Sequence, residues 1–184
     1  MIFFHKNIRL HKSKYKGAQW HFITLCCAGR DPVFAHTSHA TRMIHRLREF
    51  AIRFRFDVHA YCIMPDHFHA LVVGLKPTSD LLAFVKTLKQ RTSSEFQDTF
   101  HRALWQKKFY DHILRDRDAV AGVAAYIWLN PIRQKMCADA REYPYSGSFT
   151  IDWKKEFTLT ETWTPTWKAK APAFAPPCVA PHTP

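Results

Sequence analysis

The stretch YCIMPDHFHALVV, residues 61–73, decides the fold. Two apolar runs are separated by Pro65-Asp66, which has the chemistry of a tight turn, so the stretch predicts a β-hairpin. Side chains alternate between the two faces of a strand, and His67 and His69 therefore share one face. Two imidazoles on one rigid strand form half of a metal site, although a strand histidine is more often a hydrogen-bonded structural residue.

The length of the chain indicates its number of domains, and its charge indicates the type of binding partner. The 184 residues predict one domain, residues 1–163, followed by a Pro- and Ala-rich disordered tail, residues 164–184. The formal net charge is +12, and such an excess favours a polyanionic partner, of which nucleic acid is the commonest. A basic surface that is merely solvated is the alternative.

Cysteine usage and hydropathy indicate the compartment. The five cysteines include no Cys-x-x-Cys pair, and Cys26, Cys27 and Cys62 lie in apolar strand segments, where they read as small buried hydrophobic residues. This pattern fits a reducing cytoplasm. Neither a signal peptide nor an apolar run long enough to cross a membrane is expected.

Apolar periodicity gives the order of the elements. Strands are predicted at 20–27, 56–64 and 67–73, and helices at 41–54, from 81 to about 96, and at 117–129, with Asp116 as a cap. Residues 105–110 read as a short strand or an extended segment. Helices on one face of an antiparallel sheet make an α+β, ferredoxin-like (RRM-like) sandwich, with the two strands around the histidine pair in the centre.

The third helix supplies groups that the histidines lack. Tyr126 and Asn130 are four residues apart and so share one helix face, with the small Ala119 and Gly122 nearby. A phenol can act as a nucleophile, and an amide oxygen could complete a metal site that polarises a phosphoryl group. The alternative is a core tyrosine, and an asparagine that ends the helix before Pro131.

Four segments resemble those of a known family. His67-Phe68-His69 after Met64-Pro65-Asp66 is similar to the motif of single-tyrosine HUH nucleases. Two further segments resemble a signature of REP-associated tyrosine transposases. The first is Trp105-Gln106-x-x-Phe109-Tyr110-Asp111-His112-Ile113-x-Arg115-Asp116. The second is Tyr126-Ile127-x-x-Asn130-Pro131-Ile132. Tyr143-Pro144-Tyr145-Ser146 lies where that family often has a Trp/Tyr-Ser segment. The resemblance extends over residues 18–149.

The resemblance implies a function. Members of the family cut single-stranded DNA beside hairpins formed by repetitive extragenic palindromes, on a ferredoxin-like fold. It implies that His67 and His69 bind Mg²⁺ or Mn²⁺ and that Tyr126 is the nucleophile. Asn130 lies where insertion-sequence relatives carry a glutamine ligand. The product would be a 5′-phosphotyrosine and a free 3′-hydroxyl, in a bacterial, cytoplasmic and nucleoid-associated protein. It is expected to be a monomer, with a dimer as the alternative.

Two tyrosines compete for the nucleophile's role. Tyr110 also lies in a family-like motif, but it has Leu114 at the offset where Tyr126 has Asn130, and leucine cannot bind a metal. Tyr126 is therefore preferred, and His112 is expected to support the site from behind the ligands.

Several basic residues and one tryptophan are candidate contacts to DNA. Phosphate contacts are predicted for Arg42, Arg46, Lys86, Lys89 and Arg91, and base stacking for Trp105. The main alternative function is a non-catalytic protein that binds structured nucleic acid on the same fold. A zinc enzyme acting on a small molecule, with His59 or Asp66 as a further ligand, is the second alternative.

Overall fold

The structure is a computed structural model that describes residues 11–114 and 118–157, except the side chains of residues 98–100 and 118–119. Its elements are β1 (Trp20–Cys26), α1 (Thr37–Phe54), β2 (Phe56–Met64), β3 (His67–Gly74), α2 (Leu81–Phe100), β4 (Tyr110–Ile113), α3 (Asp118–Trp128), α4 (Asn130–Arg133), β5 (Ser146–Gly147) and α5 (Trp153–Glu156). Four single-turn 3₁₀ helices lie at Lys12–Tyr15, Ala28–Arg30, Val33–Ala35 and Ala140–Glu142.

The sheet has the order β4-β1-β3-β2-β5, and all its pairings are antiparallel. The first four strands in this order form the ferredoxin-like arrangement, so the predicted fold class is confirmed. The predicted hairpin is β2 and β3, joined by the turn at Pro65-Asp66. The strand that carries both histidines lies in the middle of the sheet, between β1 and β2.

Each face of the sheet packs against its own helical layer. On one face, Phe68 and Val72 pack in a core with α1 and α2, whereas on the other, Leu71 and Cys62 pack with α3. The expectation that the helices lie on one face is therefore wrong for α3. The physical reason is that the central strands are apolar on both faces, and an apolar face must be covered.

The element boundaries follow local chemistry. The Asp80 carboxylate accepts a hydrogen bond from the Ala83 amide at 3.0 Å and caps α2. α1 begins at Thr37, four residues before its predicted start. α3 ends at Trp128, and Asn130 opens α4 with Pro131 in its first turn, which confirms the predicted break near Asn130.

Several predictions fall outside the described residues. These are the Asp116 cap, the start of the third helix at 117, and the tail at 164–184. Among the helices in the described part of the chain, none is long and apolar enough to cross a membrane.

Candidate active site

The histidine pair lies on the face of the sheet that α3 covers. The ring centroids of His67 and His69 are 4.7 Å apart, with the rings nearly perpendicular at 80°. Phe68, between them, packs in the opposite core, as strand alternation predicts. Because β3 is paired on both sides, the backbone that carries the two imidazoles is held by two ladders of hydrogen bonds.

His69 is held by two residues of β1. A hydrogen bond of 2.8 Å joins its Nδ1 to Oγ1 of Thr24, the residue directly opposite in the ladder. The Phe22 ring stacks on the imidazole at 5.4 Å and 24°. Since Nδ1 is used by the protein, Nε2 is the ring nitrogen that His69 would offer to a metal.

His67 is held by a chain of polar side chains. Its Nδ1 donates a hydrogen bond of 2.5 Å to Oδ1 of Asp66, and Oδ2 of the same carboxylate pairs with Nε of Arg30 at 2.8 Å. Arg30 Nη1 also donates to Sγ of Cys26 at 3.1 Å. Burial alone would raise the pKa of Asp66, but the His67 hydrogen bond and the charges of His67 and Arg30 outweigh it and lower that pKa.

The turn between the histidine strand and β2 is fixed from outside the hairpin. The Cys27 amide donates to the Asp66 carbonyl at 2.9 Å, and the Phe34 amide donates to the Pro65 carbonyl at 2.8 Å. Arg30 has a left-handed backbone, with φ of 62°, which is uncommon for a non-glycine residue. The segment from Cys27 to Phe34 therefore clamps the Pro65-Asp66 turn and sets the position of the Asp66 carboxylate.

Tyr126 projects from the last turn of α3 toward the histidine face. Its ring centroid lies 6.3 Å from that of His69 and 6.1 Å from that of Phe22, and the residue is 6% exposed. The Arg133 guanidinium lies over the ring at 4.1 Å and donates a hydrogen bond of 2.5 Å to the Tyr126 carbonyl. The Arg133 guanidinium therefore makes a cation–π contact with the Tyr126 ring.

Asn130 is buried at the start of α4. Its Nδ2 donates to the carbonyls of Tyr126 at 3.3 Å and Ile127 at 3.2 Å. These bonds occupy the amide nitrogen and not Oδ1, the atom that binds metals. Asn130 is thus tied to the carbonyl of the proposed nucleophile one turn earlier.

The side chains proposed as ligands are of types that bind divalent ions. They combine two imidazoles whose Nδ1 atoms are already bound by Asp66 and Thr24 with one amide oxygen on the covering helices. Nowhere in the described part of the chain do three His, Cys, Asp or Glu side chains converge on a possible metal position. A third protein ligand drawn from the described residues would therefore be of another residue type, and Asn130 is a candidate.

Tyr110 also lies on the histidine face. It pairs with Thr24 in the sheet, its ring is 6.1 Å from Phe22, and it is 44% exposed. Burial, followed by the charges of Asp111 and Tyr126, raises the pKa of Tyr110 to about 12. Because Tyr110 begins a strand and not a helix, the Leu114 offset argument against it was wrong, since i and i+4 are neighbours only on a helix.

His112 follows on the same edge strand. It pairs with Phe22, so its half-buried side chain shares the sheet face that carries His69. The structure places it on the histidine face but two strands away from β3, with β1 between them, and one row along from His69.

Known relatives support one family. The profile of the family described as "Transposase IS200 like" matches residues 14–128, more than half of the 184 residues. The chain belongs to the IS200-like transposase family. The matched region of this IS200-like transposase includes both histidines and Tyr126 but ends before Asn130.

Individual relatives are more distant. The transposase is 26% identical over 155 residues to a Haemophilus influenzae protein provisionally assigned as a REP-associated tyrosine transposase, covering 78% of this chain and 86% of that protein. It is 21% identical over 155 residues to the Escherichia coli REP-associated tyrosine transposase, covering 78% and 88%. A solved REP-associated tyrosine transposase bound to a REP hairpin superposes with a TM-score of 0.64 at 18% identity, covering 77% of this chain and 81% of that one. At this identity the superposition shows the fold.

The predicted DNA contacts of the transposase lie in the layer opposite the histidines. Arg42 and Arg46 are on α1, and Lys86, Lys89 and Arg91 are on α2. Arg46 is paired at 2.5 Å with both Glu49 and Glu95, so its charge is compensated.

Trp105 is not available for base stacking. Its ring is buried in the core against Phe34 at 5.4 Å, and its Nε1 donates to Thr92 Oγ1 at 2.8 Å. The predicted stacking role of Trp105 is therefore not retained, and the residue anchors the chain before β4.

The zinc-enzyme alternative finds no third ligand in His59. That side chain packs against Trp20 at 5.4 Å and contacts Thr150 Oγ1 through Nδ1 at 3.2 Å. It lies three residues along β2 from Cys62, the partner of His69, which is about 10 Å at the rise of a strand. Asp66 uses its carboxylate to orient His67.

Sequence reasoning missed four residues of the site, namely Phe22, Thr24, Arg30 and Arg133. Phe22 and Thr24 have the alternating spacing of a predicted strand, but only the register of β1 against β3 places them at His69. Arg30 follows the predicted strand at 20–27, and no local pattern connects it to Asp66, its partner in the structure. Nothing in the sequence connects Arg133 to Tyr126 except its position one to two helical turns later.

Proposed function

We propose that this IS200-like transposase is a single-stranded DNA endonuclease and strand transferase that acts beside REP-type DNA hairpins, with Tyr126 as its nucleophile. The observation that carries the proposal is the proximity of Tyr126 to His69, at 6.3 Å, with Phe22 in contact with both rings. The naming of its relatives, and the REP hairpin in the solved homologue, support the choice of DNA substrate.

The reaction is a transesterification in which bonds are exchanged one for one. The Tyr126 phenol loses its proton and forms a bond to phosphorus, while the bond from phosphorus to the 3′-oxygen breaks and that oxygen takes up a proton. The products are a 5′-phosphotyrosine and a free 3′-hydroxyl. Attack of a 3′-hydroxyl on this linkage rejoins DNA without a nucleotide cofactor, because the phosphodiester is replaced by another phosphodiester.

His67, His69 and the Oδ1 atom of Asn130 would hold Mg²⁺ or Mn²⁺. When bound there, the ion would act as a Lewis acid on a phosphoryl oxygen. Asp66 and Thr24 fix the imidazole orientations beforehand, and Arg133 places positive charge beside Tyr126. Tyr126 and His69 meet within one chain, with their ring centroids 6.3 Å apart, which supports a monomeric active form.

The test is an adduct assay. Single-stranded oligonucleotides that contain palindromic repeats from DNA flanking the gene are incubated with the protein and Mn²⁺ or Mg²⁺, and are separated on a denaturing gel. We expect a slowly migrating protein–DNA adduct that is absent with EDTA and absent with the fully duplex form. Cleavage of all sequences without an adduct would contradict the proposal.

A second function is favoured by one observation, the low exposure of Tyr126. A phenol that is 6% exposed must become accessible before it attacks a phosphate, and a chain in which it stays buried would be a DNA-binding protein without catalysis. In that case, the hairpin oligonucleotide would bind equally with Mn²⁺ and with EDTA, and no adduct would form.

The Asp66 carboxylate should control metal affinity. In Asp66→Asn, the charge that binds both His67 Nδ1 and Arg30 is lost, so His67 is less well oriented and less basic. We expect the Mn²⁺ affinity to fall by about 10- to 100-fold, as measured by calorimetric titration. Asp57→Asn, at the far end of the hairpin, is the control and should retain the wild-type affinity; equal affinities in all three proteins would remove Asp66 from the site.

A further inference from the structure

An open groove lined mostly by residues with polar side chains runs between α2 and the segment that precedes β4. Its volume is about 440 Å³, and it is lined by Lys89, Gln90, Ser93, Ser94, Gln97, Trp105, Gln106 and Lys107. We propose that this groove binds the backbone of the single-stranded DNA that extends from the Tyr126 site. The inference rests on the proposed function and adds to it the path of the DNA.

The chemistry of the lining fits a phosphodiester chain. Three of the eight side chains are amides, two are hydroxyls and two are amines, and none is a carboxylate. Lysine, serine and glutamine are residue types that contact phosphate and sugar oxygens in nucleic-acid complexes. Amides and hydroxyls also accept hydrogen bonds, so they can follow a strand of any sequence.

The two walls of the groove are already joined. Lys89 Nζ donates to the backbone carbonyls of Gln106 at 2.7 Å and Lys107 at 3.1 Å. The Trp105 indole is tied to Thr92 on α2, and the Gln106 amide donates to the Cys26 carbonyl of β1 at 2.9 Å. A groove with fixed walls needs little ordering when it binds, which favours affinity.

The groove is continuous in the chain with the candidate active site. Lys107 is three residues before Tyr110, which is at most about 10 Å even for an extended chain. Tyr110 pairs with Thr24, and Thr24 pairs with His69. Single-stranded DNA that leaves the histidine face therefore needs only to pass the edge β-strand, β4, to enter the groove.

The surroundings of the groove are also positively charged. Lys86, Arg91 and Lys108 are exposed on α2 and on the segment before β4. Together with the net charge of +12, they favour a polyanion over a neutral ligand. An acidic peptide shares the charge but not the continuity with the nucleophile, and we therefore assign the groove to DNA.

The experiment compares two fluorescent hairpins in EDTA, one blunt and one with single-stranded extensions of about ten nucleotides, a length typical of single-strand sites. Lys107→Glu and Gln97→Glu add negative charge to the groove. Lys76→Glu, on an exposed loop after β3, makes the same charge change as Lys107→Glu elsewhere and is the matched control. Affinity is measured by fluorescence anisotropy at several salt concentrations, with an acidic peptide as a competitor.

We expect Lys107→Glu to weaken binding of the extended hairpin at least about 10-fold and of the blunt hairpin less than about 2-fold, with a lower salt slope of about 0.7 per lost phosphate contact. Gln97→Glu should also weaken binding of the extended hairpin, whereas Lys76→Glu should leave the affinity for both hairpins unchanged. Equal losses for both hairpins, no preference of the wild type for the extended hairpin, or equally tight binding of the acidic peptide would overturn the inference. Extension-dependent binding without a Tyr126 adduct would retain the groove and reject the catalytic proposal, whereas an adduct with no effect of Lys107→Glu would do the reverse.

Discussion

Tyr126→Phe should abolish formation of the protein–DNA adduct and lower cleavage of the hairpin oligonucleotide by at least about a thousandfold. The substitution removes only the nucleophilic oxygen, and without it no covalent intermediate can form. The fold should persist, because the ring contacts with Phe22 and Arg133 do not require the hydroxyl group. Binding of the hairpin in EDTA should therefore stay within about 2-fold of the wild type, which separates chemistry from affinity.

Tyr110→Phe is the matched control for Tyr126→Phe. Both phenols lie on the histidine face and both rings contact Phe22 at 6.1 Å. Burial and the neighbouring Asp111 and Tyr126 raise the pKa of Tyr110 to about 12, so its phenolate is harder to form. We expect Tyr110→Phe to keep the adduct. An adduct that is lost in Tyr110→Phe and kept in Tyr126→Phe would assign the nucleophile to Tyr110.

Acid should destabilise the transposase through His21. This residue of β1 is 0% exposed, and neither of its ring nitrogens has a hydrogen-bond partner among the described residues. The Tyr15 ring stacks on its imidazole, with the ring centroids 6.4 Å apart. Burial lowers the pKa of His21 from 6.5 to about 4, because the imidazolium cannot be solvated there.

The direction of the pH effect follows from proton binding. Between pH 6.5 and about 4 the unfolded chain binds a proton at His21 that the folded chain does not. The free energy of unfolding is therefore unaffected by this proton above pH 6.5 and decreases as the pH falls from 6.5 to about 4. The pKa difference corresponds to about 3 kcal/mol, a large part of the 5–15 kcal/mol that stabilises a typical domain.

His21→Leu tests this prediction. We expect a flatter dependence of the free energy of unfolding on pH between 7 and 4, measured by urea titration with tryptophan fluorescence. At neutral pH the variant should be at least as stable as the wild type, because a buried polar group without partners costs about 1–3 kcal/mol. His45→Leu, at an exposed position on α1, is the control. Identical pH dependence in His21→Leu and the wild type would show that His21 is hydrated or paired in solution.

The sequence predicted those elements whose local pattern of apolar residues matches the side chains that are buried in the fold. The hairpin at 61–73 combines turn residues with two apolar runs, and its strands end where the pattern places them. The spacing of Tyr126 and Asn130 placed both residues at the covering helices. Local pattern carries this information because alternation and helical period directly determine which side chains share a face.

The remaining features depend on contacts between distant segments. Thr24 reaches His69 across 45 residues, and Arg30 reaches Asp66 across 36, so no local pattern reports either pair. Trp105 is held in the core by a hydrogen bond to Thr92, and residue propensities do not predict this contact. The Leu114 offset argument failed because Tyr110 lies in a strand of only four residues, which gives a weak alternation signal.

His69 pairs with Thr24 on one side and with Cys62 on the other, so the geometry of the site depends on the correct register of the sheet. A slip of one residue between β3 and its neighbours would turn both imidazoles toward α1 and α2, away from Tyr126, and would bring Phe68 to the other face. A chain with its sheet out of register would then be compact but would lack the proposed site. Under the proposed function, this arrangement would confine DNA cleavage to correctly folded molecules.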